Sequence, residues 1–256
     1  QTGYAGYTLA DTFTGSTNAS NVRFTAAPAV GAALVNANAL VIAGNVNMTF
    51  GAATNVLNLT SGALIKSANN ANSIGATADS GRLTSGDTST SLSELFLINN
   101  ANTLTVNSRI IDNGAVGGQT QLVVSGTGGT VSLTAPNTYT GGTIVNSPLT
   151  LNGAAATVVI PTGTGAGATT GLTINNSTVV MTTNPGQIAN GTNITLNGGA
   201  SLTYVGANTM GGTLTFNNTG GAATPTVTTG GLLTLSGNIV ANNDSFSFTP
   251  TIAGTV

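Results

Sequence analysis

The sequence has 256 residues, of which 4% are charged and 40% hydrophobic, with a net charge of −2 at pH 7. This excludes charge-driven disorder, because disordered chains combine low hydrophobicity with high net charge, and it leaves no basic surface for a nucleic-acid partner. No run of about 18 apolar residues occurs, so we expect no membrane-spanning helix. The chain has no cysteine and no histidine; we predict no disulfide, metal or cofactor site.

The first element in chain order is a predicted strand at residues 1–13. It carries Tyr4, Tyr7 and Phe13 among small residues and shows little of the charge, proline or covering helix that usually caps the end of a solenoid. Because the chain begins with Gln1 and no signal-peptide pattern precedes this strand, we expect that a leader has been removed or that the chain is an excerpt.

Short segments with two apolar residues at period 2 follow along the whole chain. Each places two apolar side chains on one face of a short strand, and each is flanked by Gly, Asn, Ser or Thr turn residues. Leu172, Ile194 and Leu214 begin successive segments of this kind, at steps of 22 and 20 residues. Full ladders read by this period are Leu40, Leu59, Leu83, Leu104, Val123, Ile144 and Leu151, Leu172, Ile194, Leu214, Leu233.

This period predicts a β-solenoid with coils of about 20 residues, spanning residues 1–256 as a single domain. An antiparallel sandwich or barrel is the main rival, because it also gives many short strands at regular spacing. A helical turn or a loop excursion at residues 89–98 is a local alternative. In a solenoid, the many Asn residues would stack at the turns as amide ladders, each side chain bonding its copy one coil away.

The stretch from 127 to 153, TGGTVSLTAPNTYTGGTIVNSPLTLNG, contains the run Asn-Thr-Tyr-Thr-Gly-Gly-Thr at 137–143. With Val145-Asn146 and Leu149-x-Leu151, this run resembles the autotransporter-associated β-strand repeat of secreted bacterial passenger domains. Residues 98–106 and 110–114 resemble what precedes that repeat. The chain departs from the family pattern at Val124 and Pro148. The resemblance implies a right-handed parallel β-helix that is exported and displayed at the cell surface, and it implies no particular ligand.

Catalytic chemistry has few residues to recruit, because only six carboxylates are present. Glycoside hydrolysis uses two carboxylates that face one groove, and the best candidates are Asp79, Asp87 and Glu94, with Arg82 to bind an acidic sugar. Their spacing is shorter than one coil, so we interpret them as a charged loop that keeps one coil soluble. We therefore predict no enzymatic activity and rank a polysaccharide-active enzyme last.

The last predicted strand lies at residues 244–256 and carries Phe246 and Phe248 at period 2. Uncapped solenoid ends expose strand edges, and little charge opposes association here. We therefore predict an extracellular structural protein whose copies stack end to end or exchange a terminal strand. An excerpt of a longer solenoid would have similar ends, and an adhesin that binds surface glycans through a lateral face is the second reading. The residues predicted to mediate assembly are Tyr4, Tyr7, Phe13, Phe246 and Phe248.

Overall fold

The computed structural model of the chain describes residues 6–87, 92–114, 118–163, 171–218, 223–243 and 251–253. These residues form strands and turns, with no α-helix among them. The first strands are β1 (Leu9–Ala10), β2 (Asn21–Phe24), β3 (Ala29–Val30), β4 (Leu34–Ile42), β5 (Asn47–Phe50), β6 (Val56–Lys66), β7 (Asn72–Ile74), β8 (Arg82–Ser85), β9 (Leu92–Asn99), β10 (Asn102–Val106), β11 (Arg109–Ile110) and β12 (Gln119–Ser125). The remaining strands are β13 (Gly129–Leu133), β14 (Thr143–Val145), β15 (Leu149–Leu151), β16 (Leu172–Asn175), β17 (Thr178–Met181), β18 (Ile194–Asn197), β19 (Ser201–Tyr204), β20 (Asn208–Met210), β21 (Leu214–Asn218), β22 (Thr226–Thr229), β23 (Leu233–Leu235), β24 (Ile239–Asn243) and β25 (Thr251–Ala253).

The strands stack into parallel sheets, as a β-solenoid requires. A thirteen-stranded sheet follows the order β1-β2-β4-β6-β9-β12-β14-β16-β18-β21-β24, with β8 and β11 paired beside this path. A ten-stranded sheet follows the order β25-β22-β19-β17-β15-β13-β10-β7-β5-β3, and β20 pairs with β23. Each strand pairs in parallel with strands of neighbouring coils, and the chain alternates between the two large sheets from β2 to β8 and from β12 to β19. The predicted all-β solenoid is confirmed, and the antiparallel sandwich is wrong.

The core lies between the sheets because alternate side chains of each strand point inward. In β10, Leu104 and Val106 have no exposed surface, whereas Thr103 and Thr105 are partly exposed. The same alternation holds in β16, where Leu172 and Ile174 are fully buried. The apolar pairs read from the sequence are therefore inward pairs that stack coil on coil into one continuous apolar cluster.

The strand registers show that coil length varies. Leu172 pairs with Ile194, and Ile194 with Leu214, as the period predicts. The proposed steps from Leu151 to Leu172 and from Leu214 to Leu233 are wrong, because Leu151 and Leu172 lie in different sheets and Leu233 pairs with Asn208.

The first ladder is correct only at its last step, where Val123 pairs with Ile144. A step of 33 residues separates Ala63 from its partner Phe96, because β7 and β8 lie between them in the chain. The strand registers therefore do not confirm a uniform coil of about 20 residues.

Residues 92–98 of the proposed helical turn at 89–98 belong to strand β9, and residues 89–91 lie outside the described residues. Among the residues that the structure describes, no helix is long and apolar enough to cross a membrane.

The motif at 137–143 forms a corner that joins several coils. The Asn137 side chain accepts a hydrogen bond from the Ile110 N–H and donates one to the Val159 carbonyl, both at 2.8 Å. The buried Tyr139 hydroxyl lies 2.6 Å from the Thr143 hydroxyl, and burial raises the pKa of Tyr139. The motif therefore serves the fold, since its side chains satisfy the backbone of adjacent coils.

Candidate functional site

The first coil exposes one edge of the thirteen-stranded sheet. Strand β1 is the first in the strand order and pairs only with β2 among the described strands. Tyr7 precedes it, is 38% exposed, and has its ring centroid 6.0 Å from the Arg23 guanidinium carbon. Tyr4 lies outside the described residues. Tyr7 is therefore the predicted assembly residue that the structure places on the surface at this end.

Phe13, the third predicted residue of this end, packs against the core. Its ring meets that of Phe24 edge to face, with centroids 4.8 Å apart and planes at 64°. Asp11 holds the same segment to the next coil, because its carboxylate accepts hydrogen bonds from the Thr25 and Ala26 N–H groups. These bonds, that from Thr25 first, lower the pKa of Asp11. Phe13 thus anchors the first coil.

The opposite edge of the same sheet is strand β24, which pairs with β21. Its first residue, Ile239, is in register with Leu214, and Leu214 follows Ile194 and Leu172 in one inward column. These three leucine and isoleucine side chains are at most 1% exposed, whereas Ile239 is 52% exposed. Among the residues that the structure describes, none covers this inward position. The predicted assembly residues Phe246 and Phe248 lie outside the described residues.

The carboxylates proposed for catalysis are separated. Asp79 accepts from Arg109 through both carboxylate oxygens, at 2.9 and 2.7 Å, and from Arg82 at 2.9 Å. Arg82 and Arg109 are register partners on adjacent coils, so Asp79 clamps two coils together. Glu94 lies in β9, exposed and in register with Gln121. The prediction that Arg82 would bind an acidic sugar is therefore replaced by an ion pair with Asp79.

Asp87 lies in a lateral groove of about 320 Å³ together with Asp112. The Asp112 carboxylate is hydrogen-bonded to the corner motif, because it accepts from the Thr140 N–H and hydroxyl at 2.9 and 2.8 Å. It also accepts from the Thr120 N–H at 2.8 Å. Asn58 also lines the groove, and its buried Oδ1 has no hydrogen-bond partner. No group of three acidic residues among the described ranges could hold a metal ion.

The predicted amide ladder is present along the second half of the thirteen-stranded sheet. Asn175 donates to Asn146 at 2.8 Å, Asn197 to Asn175 at 2.6 Å, and Asn217 to Asn197 at 2.9 Å. Each bond joins one coil to the next, so the ladder crosses four coils. Single amide–amide bonds of the same kind join Asn58 to Asn36 and Asn38 to Asn21.

Lys66 is a buried cation that sequence reasoning did not identify. It has no exposed surface, and its ammonium donates to the carbonyls of Ala68, at 2.8 Å, and Ala101. Desolvation lowers the pKa of Lys66. The strand alternation contains the signal, because Lys66 follows the inward Leu64 by two residues and so falls on the core face.

Comparison with known proteins gives no relative. No protein-family model, no curated protein and no solved structure matches the chain.

Proposed function

We propose that the chain is an extracellular, non-enzymatic structural protein whose copies associate end to end into a rod or filament. The uncovered Ile239 carries the proposal, because it occupies an inward column whose other members are at most 1% exposed. The resemblance to secreted passenger repeats and the low charge of the chain support a role outside the cell. The engagement of Asp79 and Asp112 in inter-coil clamps supports the non-enzymatic role.

Strand pairing gives this association a direction. All the paired strands run parallel, and β1 and β24 lie at opposite ends of the thirteen-stranded sheet. Pairing of β24 with β1 of a second copy would continue the sheet. In the registers that run through the molecule, Ala241 would then lie above Leu9, which is half-buried at the opposite end of the core, and Ile239 would lie above Tyr7. Contacts between two different surfaces of one molecule do not close on themselves, and they generate open filaments.

The open backbone groups of β24 support the same contact. The Leu214 N–H donates to the Asn238 carbonyl at 2.8 Å, and in a parallel ladder the bonding residues of a strand alternate. Val240 therefore faces β21, and the N–H and carbonyl groups of Ile239 and Ala241 point away from it. An incoming strand would find these groups unpaired, as in strand addition to a sheet edge.

Substitution of Ile239 by Lys tests the proposal. In the single molecule the new side chain reaches water, whereas in the filament it would place an unpaired charge in the core. We expect the wild type to sediment as large species and to form rods under negative stain. We expect the Ile239→Lys variant to sediment as a 24.9 kDa monomer.

The matched control is Val158→Lys, which adds the same charge at a position 37% exposed and away from both terminal coils. We expect this variant to assemble like the wild type. A monodisperse 24.9 kDa wild-type protein, or equal loss of assembly in both variants, would contradict the proposal.

A second candidate function is glycan binding at the lateral groove. The groove is lined by the Asn36 and Asn58 side chains, whose amides are groups that hydrogen-bond sugar hydroxyls. The exposed Leu34 gives the groove one apolar wall. Titration of neutral oligosaccharides against the wild type and Asn58→Leu checks this function, which fails if no oligosaccharide binds or if both proteins bind equally.

A further inference from the structure

The outer face of the ten-stranded sheet carries no charge along the strands that the structure describes. Strands β10, β13, β15, β17, β19 and β22 contain no charged residue. The charged strand residues lie in the first half of the thirteen-stranded sheet, whose later strands β12, β14, β16, β18, β21 and β24 also carry none; they are Arg23, Lys66, Arg82, Glu94 and Arg109. One side of the solenoid is therefore uncharged across at least six consecutive strands.

Hydroxyl side chains form columns on this uncharged face. Their inward neighbours are buried, so strand alternation points the hydroxyls outward. The registers match one residue to one residue from β10 to β22, without a bulge. One column contains Thr105, Ser132, Thr150, Val180, Thr203 and Thr228. Two positions away, the second column contains Thr103 and Thr130 and, beyond Pro148, Thr178, Ser201 and Thr226.

The hydroxyls of these columns have no partner within the described parts of the chain. Other threonines do, since the Thr134 hydroxyl donates to Asn107 at 2.6 Å and the Thr182 hydroxyl to Asn152 at 2.9 Å. Ser132 is only 8% exposed, and it lies between Thr105 and Thr150 without using its hydroxyl. Each free hydroxyl offers one donor and two acceptor sites to something outside the chain.

The spacing of the columns is that of a rigid two-dimensional array. Neighbouring coils place hydroxyls about 4.8 Å apart, and residues two apart along a strand are about 6.6 Å apart. A single exposed hydroxyl gains little from a new partner, because it gives up a bond to liquid water. An array fixed by the backbone gains more from a partner with a matching repeat, because its side chains are already ordered.

We propose that this face binds ice. Ice is an uncharged, periodic array of hydrogen-bond donors and acceptors, and one of its oxygen repeats is close to the separation of neighbouring coils. Polysaccharide is the less favoured partner, because this face has no exposed aromatic ring between residues 102 and 228 of the described chain on which a sugar would stack. The proposal is independent of end-to-end assembly, since the columns lie along the side of the solenoid.

Slow freezing of a dilute solution onto a cold probe tests the proposal. We expect the wild-type protein to be incorporated into the ice and to shape crystals grown in its presence. Thr203→Lys, which puts a hydrated charge in the middle of the first column, should lose most of this incorporation. Thr228→Lys, at an exposed position in the same column, provides a second variant if the first does not fold.

The matched control is Thr195→Lys, in the strand that precedes β19 on the opposite sheet. Thr195 lies between Thr173 and Thr215 in a threonine column of its own, and its variant should keep wild-type incorporation. Circular dichroism should show the same strand content in all variants. Exclusion of the wild type from ice overturns the proposal, as does equal loss in the Thr195→Lys and Thr203→Lys variants. Retention on cellulose or chitin powder without ice incorporation would also overturn it and assign the face to a polysaccharide.

Discussion

Replacement of Asn137 by Ala should destabilise the solenoid at its corner motif. The side chain is 5% exposed and bonds the Ile110 N–H and the Val159 carbonyl, both at 2.8 Å. Truncation leaves one buried donor and one buried acceptor unpaired, at about 1–3 kcal/mol each. The free energy of unfolding should therefore fall by about 2–6 kcal/mol, a large part of the total for a domain.

Urea denaturation, followed by circular dichroism in the monomeric Ile239→Lys background, measures this loss without a contribution from assembly. Amide hydrogen exchange should show that the Ile110 N–H loses protection first. The control is Asn146→Ala at the exposed end of the amide ladder, where one bond from Asn175 is lost. It should cost at most about 1 kcal/mol. Equal losses for Asn137→Ala and Asn146→Ala would refute the assignment of the motif to the corner.

Asn137→Asp separates hydrogen bonding from packing, because it keeps the shape and the acceptor for Ile110. Its second oxygen would face the Val159 carbonyl, and burial without a cation raises a carboxyl pKa above about 3.9. A raised folded-state pKa gives stability below the unfolded value that is lost as pH rises through the folded value. This variant should therefore be more stable at pH 4 than at pH 7, relative to the wild type at each pH.

Two further predictions concern the neighbouring coils. Gly141→Ala should lower the free energy of unfolding by about 1–3 kcal/mol in the same urea assay, because a Cβ atom there would lie 2.6 Å from the Thr120 carbonyl oxygen. Gly31→Ala is the control, because a Cβ atom there has nothing within 4 Å, and it should lower the free energy of unfolding far less. For Lys66, whose pKa is lowered by desolvation, the unfolded chain binds the proton more tightly, so the free energy of unfolding should rise as pH increases toward about 10.4. Lys66→Met should remove this rise. If the free energy of unfolding depends on pH equally in the variant and the wild type, Lys66 is solvated in the folded chain.

The fold was predictable because the composition and the spacing of apolar residues both indicate short strands that are buried on one face. Strands with alternating Leu, Val and Thr bury one face, and Gly and Asn at the turns let a short coil close. The sheet to which a strand belongs was not predictable, because Leu149-x-Leu151 and Leu172-x-Ile174 have the same pattern and lie in different sheets. Period 2 specifies which side chains point inward, and the length of each loop decides where the next strand lies.

The polar sites were less predictable, since coils bring together residues that are far apart in the chain. Asp79 was grouped with Asp87 by proximity in sequence, yet its strongest partner, Arg109, is 30 residues away on the next coil. Asp112 was not singled out, because its Thr140 partner is 28 residues away. Of the polar contacts, only the amide ladder was predictable. Asn recurs at the turns of successive coils, so a ladder can be expected without knowledge of the exact register of the strands.

One coil in the second half of the solenoid carries two polar columns with different roles. On the thirteen-stranded sheet, Asn197 donates to the coil before it and accepts from the coil after it, so its amide serves the stacking of coils. On the ten-stranded sheet, Thr203 occupies the same kind of outward position, and its hydroxyl bonds nothing within the described chain. Two stacked amides span the distance between coils, whereas two stacked hydroxyls of the Thr203 column do not, since each lies on a shorter side chain. Replacement of Thr203 by Asn should therefore bring an amide within reach of the Thr228 hydroxyl on the next coil, stabilise the coil and reduce ice incorporation together, whereas a purely structural face would show only the gain in stability.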